Sequence, residues 1–206
     1  MRACGLVGSP IKNGNVDLLV SEVLRGAESQ GAEVFKIYLN ELAIKPCQSC
    51  GVDPRPGFCI IEDGMNEVYK ALETCEIVVL GSPVYFDSVS AQTKLMVDRC
   101  NCVTPYVRTA IGDPRFEGRL LMRKKGVFVS VAGTQQDFEP LLPLVKGFFN
   151  WVNAELVETI LHSHDDVELG AVRSDEARMK QAYDAGVRVA GATRPEHASS
   201  GRRPDA

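Results

Sequence analysis

Apolar positions along this chain alternate between two periods. Residues 3–8 form a short, almost wholly apolar run that closes on glycine, the pattern of a buried strand. Residues 16–30 carry apolar Val16, Leu18, Leu19, Val20, Val23, Leu24 and Ala27, which suit a helix with one buried face. Gly31 then supplies the left-handed residue on which helices often end. Residues 32–39 alternate apolar and polar, as a strand does. Asp63 reads as the cap of a helix through Met65, Val68, Tyr69, Ala71 and Leu72. The run 76–81 is continuously apolar after Glu76, which predicts a strand covered on both faces. Residues 90–103 predict a helix capped by Ser88 or Ser90. A strand follows at 126–131, then a helix at 138–153 interrupted near Pro140 and Pro143. The last strand is expected at 156–161 and the last helix at 174–190.

Five strands separated by helices predict an α/β fold, a doubly wound five-stranded parallel sheet of order 2-1-3-4-5. The domain is expected to span 1–190. Residues 40–62, marked by Pro46, Pro54 and Pro56, read as an excursion loop, and 191–206 as a disordered tail.

Length and charge narrow the class. The chain has 206 residues, 45% of them hydrophobic, enough for one domain burying about 70% of its unfolded surface. A net charge of −4 gives no general case for nucleic acid or an anionic membrane as partner. No apolar run approaches the roughly 18 residues of a membrane helix. With no signal-peptide pattern at the start, a cytoplasmic protein is expected.

In a sheet of this order, ligands bind beyond the carboxyl ends of the strands where the order reverses. The loop after the first strand, Gly8-Ser9-Pro10-Ile11-Lys12-Asn13-Gly14-Asn15, opens a helix. Its amides and the helix dipole favour a phosphate, and Ser9, Lys12, Asn13 and Asn15 add donors. It is neither a Walker sequence nor the dinucleotide glycine pattern. The loop after the third strand carries Pro83, Val84, Tyr85 and Phe86, apolar groups suited to a flat ring. After the fourth strand, Gly133 and Thr134 are small enough to let a ring edge approach the backbone.

Together with Gly81-Ser82-Pro83-Val84-Tyr85-Phe86, Lys94 and Asp98-Arg99, that first loop resembles the NADPH-dependent FMN reductase family, with a flavodoxin-like fold. Within it, the iron–sulfur flavoprotein branch is most similar. The resemblance covers about residues 2–162 and implies FMN as cofactor and NAD(P)H as reductant. It also implies a homodimer or homotetramer. Ser9, Lys12, Asn13, Asn15 and Val16 would hold the phosphate, Pro83 to Phe86 the ring, and Gly133 and Thr134 its other edge. Val16 departs from the Thr or Ser usual in the family, so one hydroxyl contact is missing. The implied activity is an FMN-dependent oxidoreductase. Quinones, free flavin, azo or nitro compounds and oxygen are the candidate acceptors. A single-electron carrier between proteins and a flavin-binding accessory subunit are the alternatives.

The chain has seven cysteines, and three of them, Cys47, Cys50 and Cys59, crowd the excursion loop. The resembled branch carries a compact four-cysteine motif there, and Asp53 stands where a thiolate would be. Three readings follow. Cys47, Cys50, Asp53 and Cys59 hold an iron–sulfur cluster with one carboxylate ligand; the cluster has been lost; or Cys47 and Cys50 form a reversible dithiol. Cys4, Cys75, Cys100 and Cys102 read as buried packing. Arg119, Arg123, Lys124 and Lys125 are a basic run that faces solvent or meets the ribose phosphate of NADPH. His162, His164, Asp165 and Asp166 read as a solvated turn, with a metal site as the alternative. Asp98 and Arg99 suggest an ion pair, Trp151 a core or interface residue, and His197 falls in the tail.

Overall fold

The computed structural model describes residues 1–107, 115–165 and 168–192. Five strands, β1 Arg2–Val7, β2 Glu33–Tyr38, β3 Ile77–Tyr85, β4 Lys124–Gly133 and β5 Ala154–His164, form the sheet. Their order is β2-β1-β3-β4-β5, all parallel, as the alternating pattern predicted. The helices are α1 Asn15–Ser29, α2 Met65–Thr74, α3 Ala91–Arg99, α4 Leu142–Trp151 and α5 Glu176–Gly191.

The sheet is covered on both faces, and β3 shows why its sequence is apolar without a break. Ile77 and Val79 pack into a cluster with α1 and α5, including Val20, Val23, Ala185 and Val189. Val78 and Leu80, on the opposite face, pack with Leu72, Met96, Phe148 and Phe149 from α2, α3 and α4. Alternate side chains point to opposite faces, so a strand buried on both sides must be apolar at every position. On the first face α1 and α5 meet backbone to backbone. A Cβ at Gly186 would stand 1.9 Å from the Val23 oxygen, and one at Gly26 would stand 2.0 Å from the Tyr183 oxygen.

Gly31 ends α1 with φ 84°, the left-handed conformation expected of it. Ser90 caps α3 by accepting from the Thr93 amide. Several boundaries differ from the sequence expectation. The last three strands run longer, so Pro83, Val84, Tyr85, Gly133, His162 and His164 lie on strands, not in loops or turns. Pro83 is tolerated because β1 pairs with β3 only as far as Gly81, leaving one side of β3 open beyond it. At the end of β3, Phe86 and Asp87 turn the chain with φ 51° and 54° into a two-residue antiparallel return, Ser88–Val89. Two positive φ values are what a tight hairpin turn requires. Pro143 does not interrupt α4 but stands in its first turn, where no amide donor is needed. The last helix, expected at 174–190, runs from Glu176 through Gly191 and is capped by Asp175. The rest of the expected tail, with His197, lies outside the described residues, as does Asp166.

The basic run forms no common face. Lys124 is buried at the start of β4 and donates to the Met122 carbonyl at 2.8 Å. Lys125 pairs with Glu155 at 2.9 Å, and Arg123 pairs with the same carboxylate. Burial pulls the Lys124 pKa down from 10.5 to about 8. The native state therefore binds this proton more weakly than the unfolded chain does. Its destabilising effect is complete below pH 8 and fades as pH rises toward 10.5. Lys124→Met is expected to stabilise the fold at pH 7 by up to about 3 kcal/mol in urea denaturation. The advantage should shrink across that alkaline window; a constant difference at all pH values would contradict this account.

Candidate functional site

Strand order reverses between β1 and β3, whose following loops leave toward opposite faces of the sheet. The crevice between them is a cleft of about 310 Å³. Ser9, Ile11, Gly14, Asn15 and Val16 line one side, and Pro83, Val84 and Tyr85 another. Val131, Ala132, Gly133 and Gln136 close it from β4, while His164 and residues 168–170 close it beyond β5.

Hydrogen bonds hold the first loop from several elements. The Gly8 amide donates to the Gly81 carbonyl at 2.7 Å, tying the ends of β1 and β3 together. Ser90 Oγ donates to the Gly8 carbonyl at 2.7 Å, and Gly8 has no room for a side chain because a Cβ would sit 1.8 Å from Thr93 Oγ1. The Ile11 amide donates to Ser9 Oγ at 3.2 Å. Asn13, at φ 61°, donates its amide to Asp17 Oδ2 at 2.8 Å. Buried Asp17 also meets Lys36 Nζ at 2.5 Å and the Tyr38 hydroxyl at 3.1 Å. Burial works against the Lys36 charge, but Asp17 and Tyr38 outweigh it and raise its pKa. At the N-terminus of α1, Gly14 provides no side-chain cap. The first-turn amides are thus left to a ligand or water, and the helix dipole points its positive end at the cleft.

The cleft gathers Ser9, Asn15, Val16, Pro83, Val84, Tyr85 and Gly133 from the sequence-expected set. It does not gather Lys12, Asn13, Phe86 or Thr134. Lys12 turns away to pair with Glu41 and lies 4.6 Å over the Tyr38 ring. Phe86 is 97% exposed at the tip of its hairpin. Thr134 bonds to Asp165. Even Asn15 is engaged by its own protein. Its Oδ1 accepts the Val172 amide at 3.1 Å, so Nδ2 must donate to His164 Nε2 at 3.2 Å. That leaves the neutral ring's proton on Nδ1. Sequence reasoning placed His164 in a solvated turn; its ring instead stacks on His162 in β5. Strand periodicity carried past residue 161 was the signal that could have found it. No sequence signal marked residues 168–170.

The metal ligand set expected in the excursion loop does not assemble. No three His, Cys, Asp or Glu among the described residues come close enough to hold a metal ion, neither Cys47, Cys50, Asp53 and Cys59 nor the His162–Asp165 segment. Both Asp53 oxygens face guanidinium groups, Arg55 at 2.8 Å and Arg119 at 3.0 Å. Cys59 accepts from Arg99 at 3.4 Å, and Cys50 is exposed. The residues present do not fit an iron–sulfur cluster. The Asp98–Arg99 pair is also corrected: Asp98 binds Lys94 at 2.7 Å, while buried Arg99 binds Asp63 at 2.7 Å. Burial disfavours the Asp63 carboxylate, but Arg99 and the amides of Lys45 and Met65 outweigh it and hold its pKa low. Cys4, Cys75 and Cys100 are buried as expected, and Cys102 is half-buried against Tyr69.

The sequence model of the NADPH-dependent FMN reductases matches residues 1–165. The chain belongs to this family. Within this FMN reductase family it is 39% identical over 99 residues to an iron–sulfur flavoprotein of Methanocaldococcus jannaschii, covering 48% of this chain and 51% of that one. An iron–sulfur flavoprotein of Archaeoglobus fulgidus is 37% identical over 99 residues, 48% of this chain and 45% of that protein. The match therefore spans about half the length of these relatives. A putative NAD(P)H-dependent FMN-containing oxidoreductase of Bacillus subtilis is 24% identical over 72% of this chain and 75% of its own length. Among solved structures, an FMN-dependent NADH-azoreductase of Bacillus anthracis in complex with FMN superposes with TM-score 0.65 at 13% identity. It covers 92% of this chain and all of that one (100%). At that identity the likeness bears on the fold, which is flavodoxin-like as expected.

The buried Asp17–Lys36 pair anchors the first loop. Asp17→Asn is expected to cost about 2–4 kcal/mol in urea denaturation, because Lys36 keeps its charge without the carboxylate that balances it. Asp17→Asn combined with Lys36→Met should recover part of that loss. Equal stability of the wild type and Asp17→Asn would refute the anchoring role.

Proposed function

We propose that this chain is an FMN-dependent NAD(P)H oxidoreductase that passes electrons through the flavin to a small acceptor of the quinone or flavin class. The observation that carries the reading is the uncapped N-terminus of α1, opening on a cleft whose other walls are Pro83, Val84, Val131 and Ala132. Free amides and a helix dipole suit a phosphate, and apolar walls suit a planar ring. When bound, FMN supplies the electron-accepting ring. The protein's part is to bind it, orient it and exclude water, so no acid–base residue is assigned.

In this proposal the phosphate is met by the amides of residues 15 and 16 and by Ser9, the Gly14 amide being held by the Ile11 carbonyl. Lys12, committed to Glu41, stands aside, and so does the carboxamide of Asn15, held by Val172 and His164. Among the described residues lining the cleft there is no lysine or arginine, so the dipole and amides carry the electrostatics. A homo-oligomer belongs to the same proposal. It is supported by a groove of about 240 Å³ between α3 and α4, lined by Val97, Leu144, Phe148 and Trp151.

The purified chain is expected to bind FMN, titrated by flavin fluorescence, at least about tenfold more tightly than riboflavin. Lys12→Ala should keep FMN affinity within about threefold. FMN-loaded protein should then oxidise NADPH or NADH with a quinone present. Equal affinity for FMN and riboflavin, or no flavin binding, would remove the reading. Light scattering should return a multiple of the 22.5 kDa chain mass; a monomer would remove the oligomer.

A further inference from the structure

The excursion loop that fails to gather metal ligands is nonetheless tightly cross-linked, by two arginines from outside it. Arg99, on α3 and 1% exposed, holds the stems. It donates to the Lys45 carbonyl at 2.8 Å, to Asp63 at 2.7 Å, to the Ile61 carbonyl at 3.3 Å and to Cys59 Sγ at 3.4 Å. Arg119 holds the tip. Its side chain is only 8% exposed, and it pairs with Asp53 at 3.0 Å. It also donates to the carbonyls of Pro56 at 3.1 Å and Gly57 at 2.7 Å and lies 4.7 Å over the Phe58 ring. Arg55 ties the second Asp53 oxygen to Glu117, which lies two residues before Arg119 in sequence.

A four-ligand cluster cross-links a loop by drawing four side chains to one centre. Here Arg119 performs that mechanical work on residues 53, 56, 57 and 58, and one of its contacts is Asp53, which by the resemblance stands where a thiolate would be. To ligate iron, this carboxylate would have to give up a charge-assisted hydrogen bond from Arg55 at one oxygen and the ion pair with Arg119 at the other. We infer that in this chain an arginine pin, Arg119 with Asp53, takes the place of a metal centre, so that the cysteine loop folds metal-free. Resting on the flavin reading above, the inference narrows the acceptor. With no metal-ligand group among the described residues to carry single electrons away from the flavin, a small acceptor that takes two electrons together is favoured. For a quinone the balance is NAD(P)H plus one proton plus quinone giving NAD(P)⁺ plus quinol.

The test is to incubate the full chain anaerobically with FMN, ferrous iron and sulfide, desalt it, and measure iron and FMN on the same sample. Iron at background is the expected result, and about four irons per chain would overturn the inference. The FMN content judges the flavin reading separately, since its loss would leave the iron result standing. Limited proteolysis with cleavage sites mapped by mass spectrometry tests the pin itself. Arg119→Ala should raise cleavage within residues 47–59 about tenfold, and added iron and sulfide should give no protection. Asp53→Asn, which keeps the carbonyl contacts, should give a smaller increase and decides the matter if Arg119→Ala fails to fold. Cleavage unchanged in both variants, or in Asp53→Asn alone when Arg119→Ala does not fold, would refute the pin.

Discussion

The site depends on the contact between Gly8 and Gly81. The Gly8 amide donates to the Gly81 carbonyl at 2.7 Å where β1 and β3 lie side by side. Neither residue could carry a side chain. A Cβ on Gly8 would strike Thr93, and one on Gly81 would come within 2.5 Å of Val20 and 2.9 Å of Val16. That close approach lets the first turn of α1 lie over the end of β3, so the amides at the start of α1 and the apolar end of β3 border one cleft. Fully buried Ser82, Ser90 and Thr93 complete the joint by bonding across the same point.

Charge is managed by the same economy. Asp17 is satisfied by Lys36, Tyr38 and the Asn13 amide, and Lys12 by Glu41. The formal charges around the first loop cancel within the protein, and the cleft is left with the partial charges of oriented amides. Fixed dipoles need no counter-ion and do not reorganise when an anion arrives, which suits a cofactor held without a covalent bond.

The cysteine loop is held through the carboxylate at residue 53. A carboxylate at residue 53 is a poor match for a thiolate centre but a good one for guanidinium groups, and two arginines take it. A third arginine anchors the stems to α3 through Asp63. Both the buried Arg99–Asp63 pair and the Arg119 contacts join residues far apart in the chain. Beyond the Arg55–Asp53 contact within the loop, its conformation is set by these tertiary partners.

The sequence by itself determined the element order, the parallel sheet and its strand order, because periods of two and of 3.6 residues are local properties of a chain. It also located the cleft, since the order reversal follows from that topology. Ser9, Asn15, Val16, Pro83, Val84, Tyr85 and Gly133, read from the sequence as cofactor residues, all line that cleft. Tertiary structure decided what the polar side chains do there. Lys12 looked like a phosphate ligand because it sits in the loop, yet Glu41 lies nearer to its ammonium. Asn15 meets His164 and Val172, 149 and 157 residues away. Asp53 looked like a possible ligand until Arg119 came to lie against it. A hydrogen bond or ion pair between distant residues leaves no periodic trace in a sequence, so those partners are legible only once the chain has folded.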